Sequence, residues 1–519
     1  MRSKRTFIAV NWMLSAIWML SALLGMGAAS AEVRLPNVLS SHAVLQRDVP
    51  IHIWGWSDPG ETVTVHFHDQ TRTATADNLG KWSLWLTPEH AGGPFTLTAQ
   101  GSSTSDSASS VTLSDILVGD VWIASGQSNM EMPLNGFPGN AVLKNAQQEI
   151  ANANLTTVRL LRIEHNPSYF PVNDITATWT ECTSQTAADF SAVAYFFGRE
   201  INAREHVPIG LIDSTWGGTP VEAWTSMDEI GSDAGLMPMF AHWAHFTADL
   251  ADTDLIVANE KREDAAAEQA HKPKPDHPWH PDARSWQPAN LYNGMIAPLT
   301  PYTIKGAIWY QGETNSAPPR APYYERFFSA MIQDWRNQWH EGDFPFLYVQ
   351  ISNFYSPEED WGQLRDQQRR TLAVANTAMA VTLDVGDRDN VHPADKQTVG
   401  ARLALAARAL VYGESQLEYS GPLFRTATVE GASIRVWFDH AKDGLAAHGP
   451  QLNGFEIAGA DGKFVPATAK IDGSTVVVQA PGVNQPKAVR YAWQGWTDAN
   501  LFNKEGLPAS TFTSELVLP

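Results

Sequence analysis

The chain has 519 residues, 43% of them hydrophobic and 10% aromatic, and a formal net charge of −20. That length exceeds what one hydrophobic core holds and implies roughly two to four globular domains. The charge argues against polyanionic partners, both nucleic acid and anionic membrane. The single cysteine, Cys182, excludes an intramolecular disulfide, and no Cys/His cluster is present to hold a zinc ion; neither a metal nor any other cofactor is expected.

Residues 1–31 read as a signal peptide. Arg2, Lys4 and Arg5 precede an apolar run from Phe7 to Gly25, and Ala29-Ser30-Ala31 is a small-x-small cleavage site. Cleavage before Glu32 releases the chain from the membrane; retention leaves an anchor, and the sequence keeps both open. Export without disulfides suits a bacterial periplasm or exterior.

Residues 32–114 read as an N-terminal antiparallel β-sandwich. Thr62–Phe67 alternates with period two, as does Lys81–Leu86 after a turn at Asp77-Asn78. From Asp115 the pattern changes. Ile116–Val118 and Val121–Ala124 form a nearly continuous apolar run, as suits a parallel strand covered on both faces. It ends in Ser125-Gly126-Gln127-Ser128-Asn129. Further strands are expected at Pro208–Ile212, Ile304–Tyr310, Phe346–Ile351 and Met379–Leu383. Helices are expected at Ala192–Ala203, Met237–Ala270 and Tyr323–Trp339, and after His392 with Val399, Leu403, Ala406 and Leu410 on one face. This alternation predicts a doubly wound α/β domain over 115–413. Proline-rich HKPKPDHPWHPDARSWQP closes an insertion over 231–286. Residues 414–519 return to short β runs with Asp461-Gly462 and Asp472-Gly473 turns, a C-terminal β-sandwich.

Four strand ends carry chemistry-bearing residues in chain order: Ser128, then Gly217-Gly218, then Gln311-Gly312-Glu313-Thr314-Asn315, then Asp389-x-x-His392. Open α/β sheets place their chemistry at such carboxyl ends. A serine hydrolase needs a nucleophile, a base, a group to orient the base, and N–H donors for the oxyanion. A helix starting at Ser128 would bring backbone N–H groups to that point. Alone, Ser128 reads more readily as a helix cap than as a nucleophile; the four turns together favour catalysis. A carbohydrate-binding protein with two β domains and twenty tryptophans is the non-enzymatic alternative.

The blocks GQSNMEMP from Gly126, GGTPVEAW from Gly217, IKGAIWYQGETN from Ile304 and HPADKQTVGARLALAARALVYG from His392 resemble the SGNH (GDSL-like) hydrolases. With LPNVLSSHAVLQRDVPIHIWGWSDPGE and NLFNKEGLPAS, they resemble the sialate O-acetylesterase-like carbohydrate esterases over essentially the whole mature chain. The resemblance implies an SGNH-type doubly wound parallel sheet flanked by N- and C-terminal antiparallel β-sandwich domains. It implies Ser128 as nucleophile, His392 as base, and an oxyanion hole of Ser128 N–H, Gly218 N–H and Gln311. Asp389 fits the orienting position; Asp387, Asp384 or no carboxylate at all remain alternatives. Glu313 and Asn315 are further candidates beside the substrate, as are Trp279, Trp286 and Trp361 for sugar stacking. The substrate is then an acetylated oligo- or polysaccharide, either a sialoside acetylated at O9 or a neutral hemicellulose such as xylan or xyloglucan. Activity is expected to fall in acid as an imidazole protonates. Oligomeric state is not legible.

Overall fold

The computed structural model describes residues 32–102, 110–138, 142–240, 253–275, 277 and 280–515. The expected signal peptide and Trp279 lie outside these residues. The described chain forms two compact units. The smaller comprises Ile53–Leu86 and Thr96–Leu113 with the residues up to Leu35. The larger comprises Pro36–His52, Thr87–Phe95 and Ser114–Pro519.

In the smaller unit Thr62–Phe67 pairs antiparallel with Gln70–Thr75 on one side and Leu97–Gly101 on the other. Val63, Val65 and Phe67 are buried and the residues between them are not, the period-two alternation read from the sequence.

A mixed seven-stranded sheet organises the larger unit. Its strands are β1 (Ser110–Gly126), β2 (Leu155–Arg162), β3 (Trp179–Cys182), β4 (Ile209–Thr215), β5 (Gly306–Tyr310), β6 (Phe346–Val349) and β7 (Thr377–Ala380), in the order β7-β6-β5-β1-β4-β2-β3. All neighbours run parallel except β3, which is antiparallel to β2. Every residue of β1 from Leu117 to Gly126 is buried, which explains its nearly continuous apolar run; the buried Asp120 within it is paired with Arg47. After β1 the chain adds β2 and then the edge strand β3 on one side, and returns to place β4 between β2 and β1. It then crosses to the other side for β5, β6 and β7, so the order reverses at β1.

Both faces of the sheet are covered. Trp122 meets Phe197 of α1 (Ala192–Glu205) at 5.0 Å between ring centroids. In register, Trp122 lies opposite Gly306, so Trp309 points to the other face. There it packs on Phe328 and Trp335 of α2 (Tyr324–Trp339) at 5.9 and 6.0 Å. α3 (Trp361–Arg370) lies beside α2, and α4 (Lys396–Leu410) beside α1. On α4, Val399, Leu403 and Ala406 are buried, while Leu410 is 38% exposed at the fraying end. Within the expected run, the described residues are helical at 237–240 and over Thr253–Gln269.

The remaining chain forms antiparallel sheets. One has the order Leu423–Glu430, Ser433–Asp439, Thr475–Gln479, Thr468–Asp472. Another has the order Phe464–Pro466, Phe455–Ala458, Ala488–Tyr491, Phe512–Thr513. Phe424 and Phe438 of the first meet Phe512 of the second at 4.6 and 5.9 Å. This division differs from the expected three parts in two ways. Val44–Gln46 leaves the N-terminal segment to pair with Leu117–Gly119 of β1. The C-terminal strands form one unit with the large sheet, tied to it by Gln350 Nε2 donating to Ser510 Oγ (2.8 Å) and Arg370 Nη2 to Glu515 O (2.8 Å).

Candidate active site

The site begins with register. Gly126 at the end of β1 sits opposite Thr215 of β4 and Tyr310 of β5. The turns after three adjacent parallel strands therefore open side by side, where the strand order reverses. Gly126 has φ +134°, and a Cβ there would lie 2.2 Å from Tyr310 O, so only glycine fits. Ser128 follows at the start of a single helical turn, Ser128–Glu131. Gly217 approaches so closely that a Cβ would meet Ser128 Cβ at 3.2 Å.

His392 enters from the loop between β7 and α4, and its Nε2 lies 2.8 Å from Ser128 Oγ. Burial, then the nearby Lys396 ammonium, depress the imidazole to about 4, against a weaker opposing pull from Glu131. The ring is thus neutral at ordinary pH and able to accept a proton from the serine. Its other nitrogen, Nδ1, is buried with no hydrogen-bond partner among the described residues.

The histidine is held from behind instead. Its own N–H donates to Asn390 Oδ1 (2.9 Å), and Phe137 meets the ring edge-on at 5.5 Å. Asn129, buried beside the serine, donates from Nδ2 to Val391 O (3.0 Å) and to Glu313 Oε1 (2.6 Å); its Oδ1 accepts from Lys396 Nζ. One amide thereby joins the serine turn, the Glu313 turn and the histidine loop. Burial pushes Glu313 up to about 7 and Lys396 down to about 7, each opposed by the charge of the other.

Ser128, His392, Phe137, Val391 and Glu313 line a cleft of about 710 Å³ together with Gln127, Glu131, Gly217, Gly218, Trp286, Arg320, Phe354, Glu359 and Trp361. Glu131 Oε2 accepts from Gly217 N–H (2.6 Å), and Glu131 Oε1 lies 3.1 Å from His165 Nε2. A serine hydroxyl on a neutral imidazole, with glycine backbone beside it and no bulky side chain between, is suited to acyl transfer.

Residues 279–409 match the profile of the family described as "Carbohydrate esterase, sialic acid-specific acetylesterase". The human sialate O-acetylesterase is 32% identical over 436 residues, 76% of this chain and 74% of that protein. The mouse sialate O-acetylesterase is 29% identical over 517 residues, covering 90% and 91%. The crystal structure of a carbohydrate acetylesterase from Xanthomonas citri superposes with a TM-score of 0.79 at 37% identity, over 93% of this chain and 99% of that one. The chain belongs to the sialate O-acetylesterase family of carbohydrate esterases. It is a carboxylic ester hydrolase.

The structure does not bring every residue that the sequence suggested to the serine and histidine. Asp389 does not reach the imidazole: its side chain is 78% exposed and paired with Arg388 Nη1 at 2.7 Å. Asp387 is turned into its own loop, where Oδ1 accepts the N–H groups of Asp389 (2.9 Å) and Asn390 (3.1 Å). That side-chain turn sends Asp389 outward. Asp384 is committed to Arg402 at 2.7 Å on both oxygens.

Gln311 is fully buried and does not line the cleft. Its Nε2 donates to Thr219 O (3.2 Å) and Asn315 Oδ1 (2.6 Å), and its Oε1 accepts from Tyr324 OH (2.8 Å). Both N–H groups are occupied, so neither is directed to the expected oxyanion position in this structure. Asn315 is likewise structural, accepting from Val221 N–H (3.0 Å) and donating to Glu222 Oε2 (2.9 Å).

Glu313, Trp286 and Trp361 do line the cleft of the esterase. Trp361 is fixed by its Nε1 donating to Glu359 Oε2 (2.8 Å), and Trp286 lies under the Arg320 guanidinium at 4.8 Å. Asn129, Glu131, His165 and Lys396 were not read from the sequence. Asn129 and Glu131 stand inside GQSNMEMP, and Lys396 four residues after His392, so the blocks held the signal without their roles. One trio elsewhere, His42, Asp115 and Glu181, brings metal-ligand atoms within 4.8 Å of one another. Arg159 Nη2 already lies 2.8 Å from Asp115 Oδ2, and its positive charge opposes a cation there.

Proposed function

We propose that the chain is an exported carbohydrate O-acetylesterase working through a Ser128–His392 dyad. The observation that carries this is the 2.8 Å contact between Ser128 Oγ and His392 Nε2 on the cleft wall. His392 takes the serine proton as Oγ attacks the acetyl carbonyl. It returns that proton to the departing sugar oxygen, then activates water to release acetate. The oxyanion lies against the N–H groups of Ser128 and Gly218; the Gly217 N–H is spent on Glu131, which leaves Gly218 as the donor of that pair. No step in this sequence calls for a cofactor.

For the substrate we favour acetylated neutral glycans of the xylan or xyloglucan type. Three carboxyl groups line the cleft, from Glu131, Glu313 and Glu359, against the single guanidinium of Arg320. Arg320 is itself 3.5 Å from Glu222. A sialoside carboxylate meets more negative than positive charge here, and a neutral sugar meets no such penalty. The family description and the vertebrate relatives support the second reading, a sialate O-acetylesterase, for which Arg320 would bind the carboxylate. The deciding experiment measures acetate release from acetylated xylo- and xyloglucan oligosaccharides against 9-O-acetyl sialic acid at matched concentration, with Ser128→Ala as blank. Faster release from the neutral glycans is expected; preference for the sialic acid selects the second reading. Export rests on the signal-like pattern of residues 1–31. Among the described residues no helix is long and apolar enough to cross a membrane. We keep the three-part division, with 32–114 and 414–519 as flanking β domains around an SGNH-type centre, as a proposal about folding units. Expression of 414–519 alone tests it.

A further inference from the structure

A large share of the buried polar bonding near the cleft does no work on the reacting atoms. It fastens a turn of the C-terminal β segment, residues 494–497, to the segment 353–355. Phe354 N–H donates to Gly495 O (3.1 Å), and Asn353 Nδ2 donates to Thr497 O (2.9 Å). Arg365 is fully buried, and it donates from Nη2 to Gln494 O (2.6 Å) and Gly495 O (3.0 Å). Burial pulls this guanidinium down to about 9, so placing it here is costly. The backbones are in contact: a Cβ on Gly495 would lie 2.8 Å from Phe354 O, and one on Gly362 would lie 2.0 Å from Trp493 O.

What this rigid junction presents to solvent is aromatic. Trp496 is 39% exposed and Tyr355 is 51% exposed, with Arg388 over the Tyr355 ring at 4.6 Å. Each adjoins the cleft through the chain. Tyr355 follows Phe354, a cleft residue, and Trp496 follows the glycine that Phe354 N–H binds. Phe354 in turn packs on the cleft tryptophan Trp361 at 5.4 Å. Exposed rings lose little conformational freedom on binding when their backbone is already fixed, and sugar rings offer apolar C–H faces to them.

Resting on the carbohydrate esterase reading, we propose that Trp496 and Tyr355 form a glycan-stacking subsite at the edge of the cleft, which takes a neutral sugar ring of the chain beyond the residue that carries the acetyl ester. The C-terminal β segment then contributes to substrate binding as well as to the fold. The subsite gives a use to the turn that a buried cation holds in place, and to aromatic rings left in water next to a polar site.

The test compares an acetylated xylo-oligosaccharide with 4-nitrophenyl acetate, which has no sugar to stack. Trp496→Ala and Tyr355→Ala should each raise KM for the oligosaccharide about fivefold, with kcat and the 4-nitrophenyl acetate kinetics unchanged. Trp496→Phe, which keeps a ring, should retain most of the affinity. Both residues are exposed, so thermal unfolding should match the parent protein. Calorimetric titration of xylo-oligosaccharides without acetyl groups should show the same dependence on Trp496. That measurement needs no turnover, so it separates failure of the subsite from failure of the esterase reading. Unchanged oligosaccharide KM and unchanged binding in the double variant overturn the proposal, as does an equal loss on 4-nitrophenyl acetate.

Discussion

An imidazole held in a dry pocket beside an ammonium group gives up its proton readily. That is the state of His392, with burial and Lys396 together holding it near 4. An ordinary histidine base would place the acid limb of kcat/KM around 6.5. Here the base stays neutral down to about 4, so kcat/KM should lose no imidazole-linked activity until pH approaches that value. Removing the ammonium lets the imidazole rise toward its usual value. Lys396→Met should therefore move the acid limb to higher pH, measured as kcat/KM on a small acetyl ester. An unmoved limb would show that Lys396 does not act on the base. The carboxylates make a second prediction at the same scale. Asp389 points into solvent and pairs with Arg388. Asp389→Asn should change kcat/KM by less than about twofold, because an exposed ion pair contributes little. A loss of orders of magnitude would restore Asp389 as the group that orients His392.

At the scale of elements, the parallel strands were legible because burial on both faces leaves a nearly continuous apolar run, as in β1. Alternation marked Thr62–Phe67 for the opposite reason, since one side of that strand is covered. Ser128 and His392 were legible because each follows a strand end and stands inside a distinctive block. Asp389 and Gln311 point away from the positions that spacing suggested, for a common reason. Spacing places a backbone at the site, but the direction of a short polar side chain is settled by its local hydrogen bonds. Asp387 capturing two N–H groups turns Asp389 away, and Thr219, Asn315 and Tyr324 hold Gln311 inside the protein. Lys396 carries no pattern of its own, since a lysine in the first turn of a helix reads as a surface residue. The corrected role of Gln311 has a consequence. Gln311→Ala removes partners from three buried groups and should cost about 1–3 kcal/mol of stability, seen as a lower urea midpoint. A loss of kcat at unchanged stability would return Gln311 to the oxyanion hole.

For the whole molecule, the net charge of −20 and the carboxyl groups of the cleft both favour the neutral glycan we propose as substrate. Salt screens the long-range part beyond about 8 Å at physiological ionic strength, so the cleft groups matter more than the total. The larger unit brings the chemistry and the exposed rings of the C-terminal segment into one body, with the reacting atoms at the reversal point of the sheet and the proposed sugar platform beside them. All of this depends on Ser128 being the atom that is acylated. The most direct measurement quenches the enzyme in acid during turnover of an acetylated xylo-oligosaccharide and maps its peptides by mass spectrometry. An acetyl group on the peptide containing Ser128, absent together with acetate release in Ser128→Ala, is the predicted result. Sustained acetate release by Ser128→Ala, or an acetyl group trapped on another residue, would contradict it.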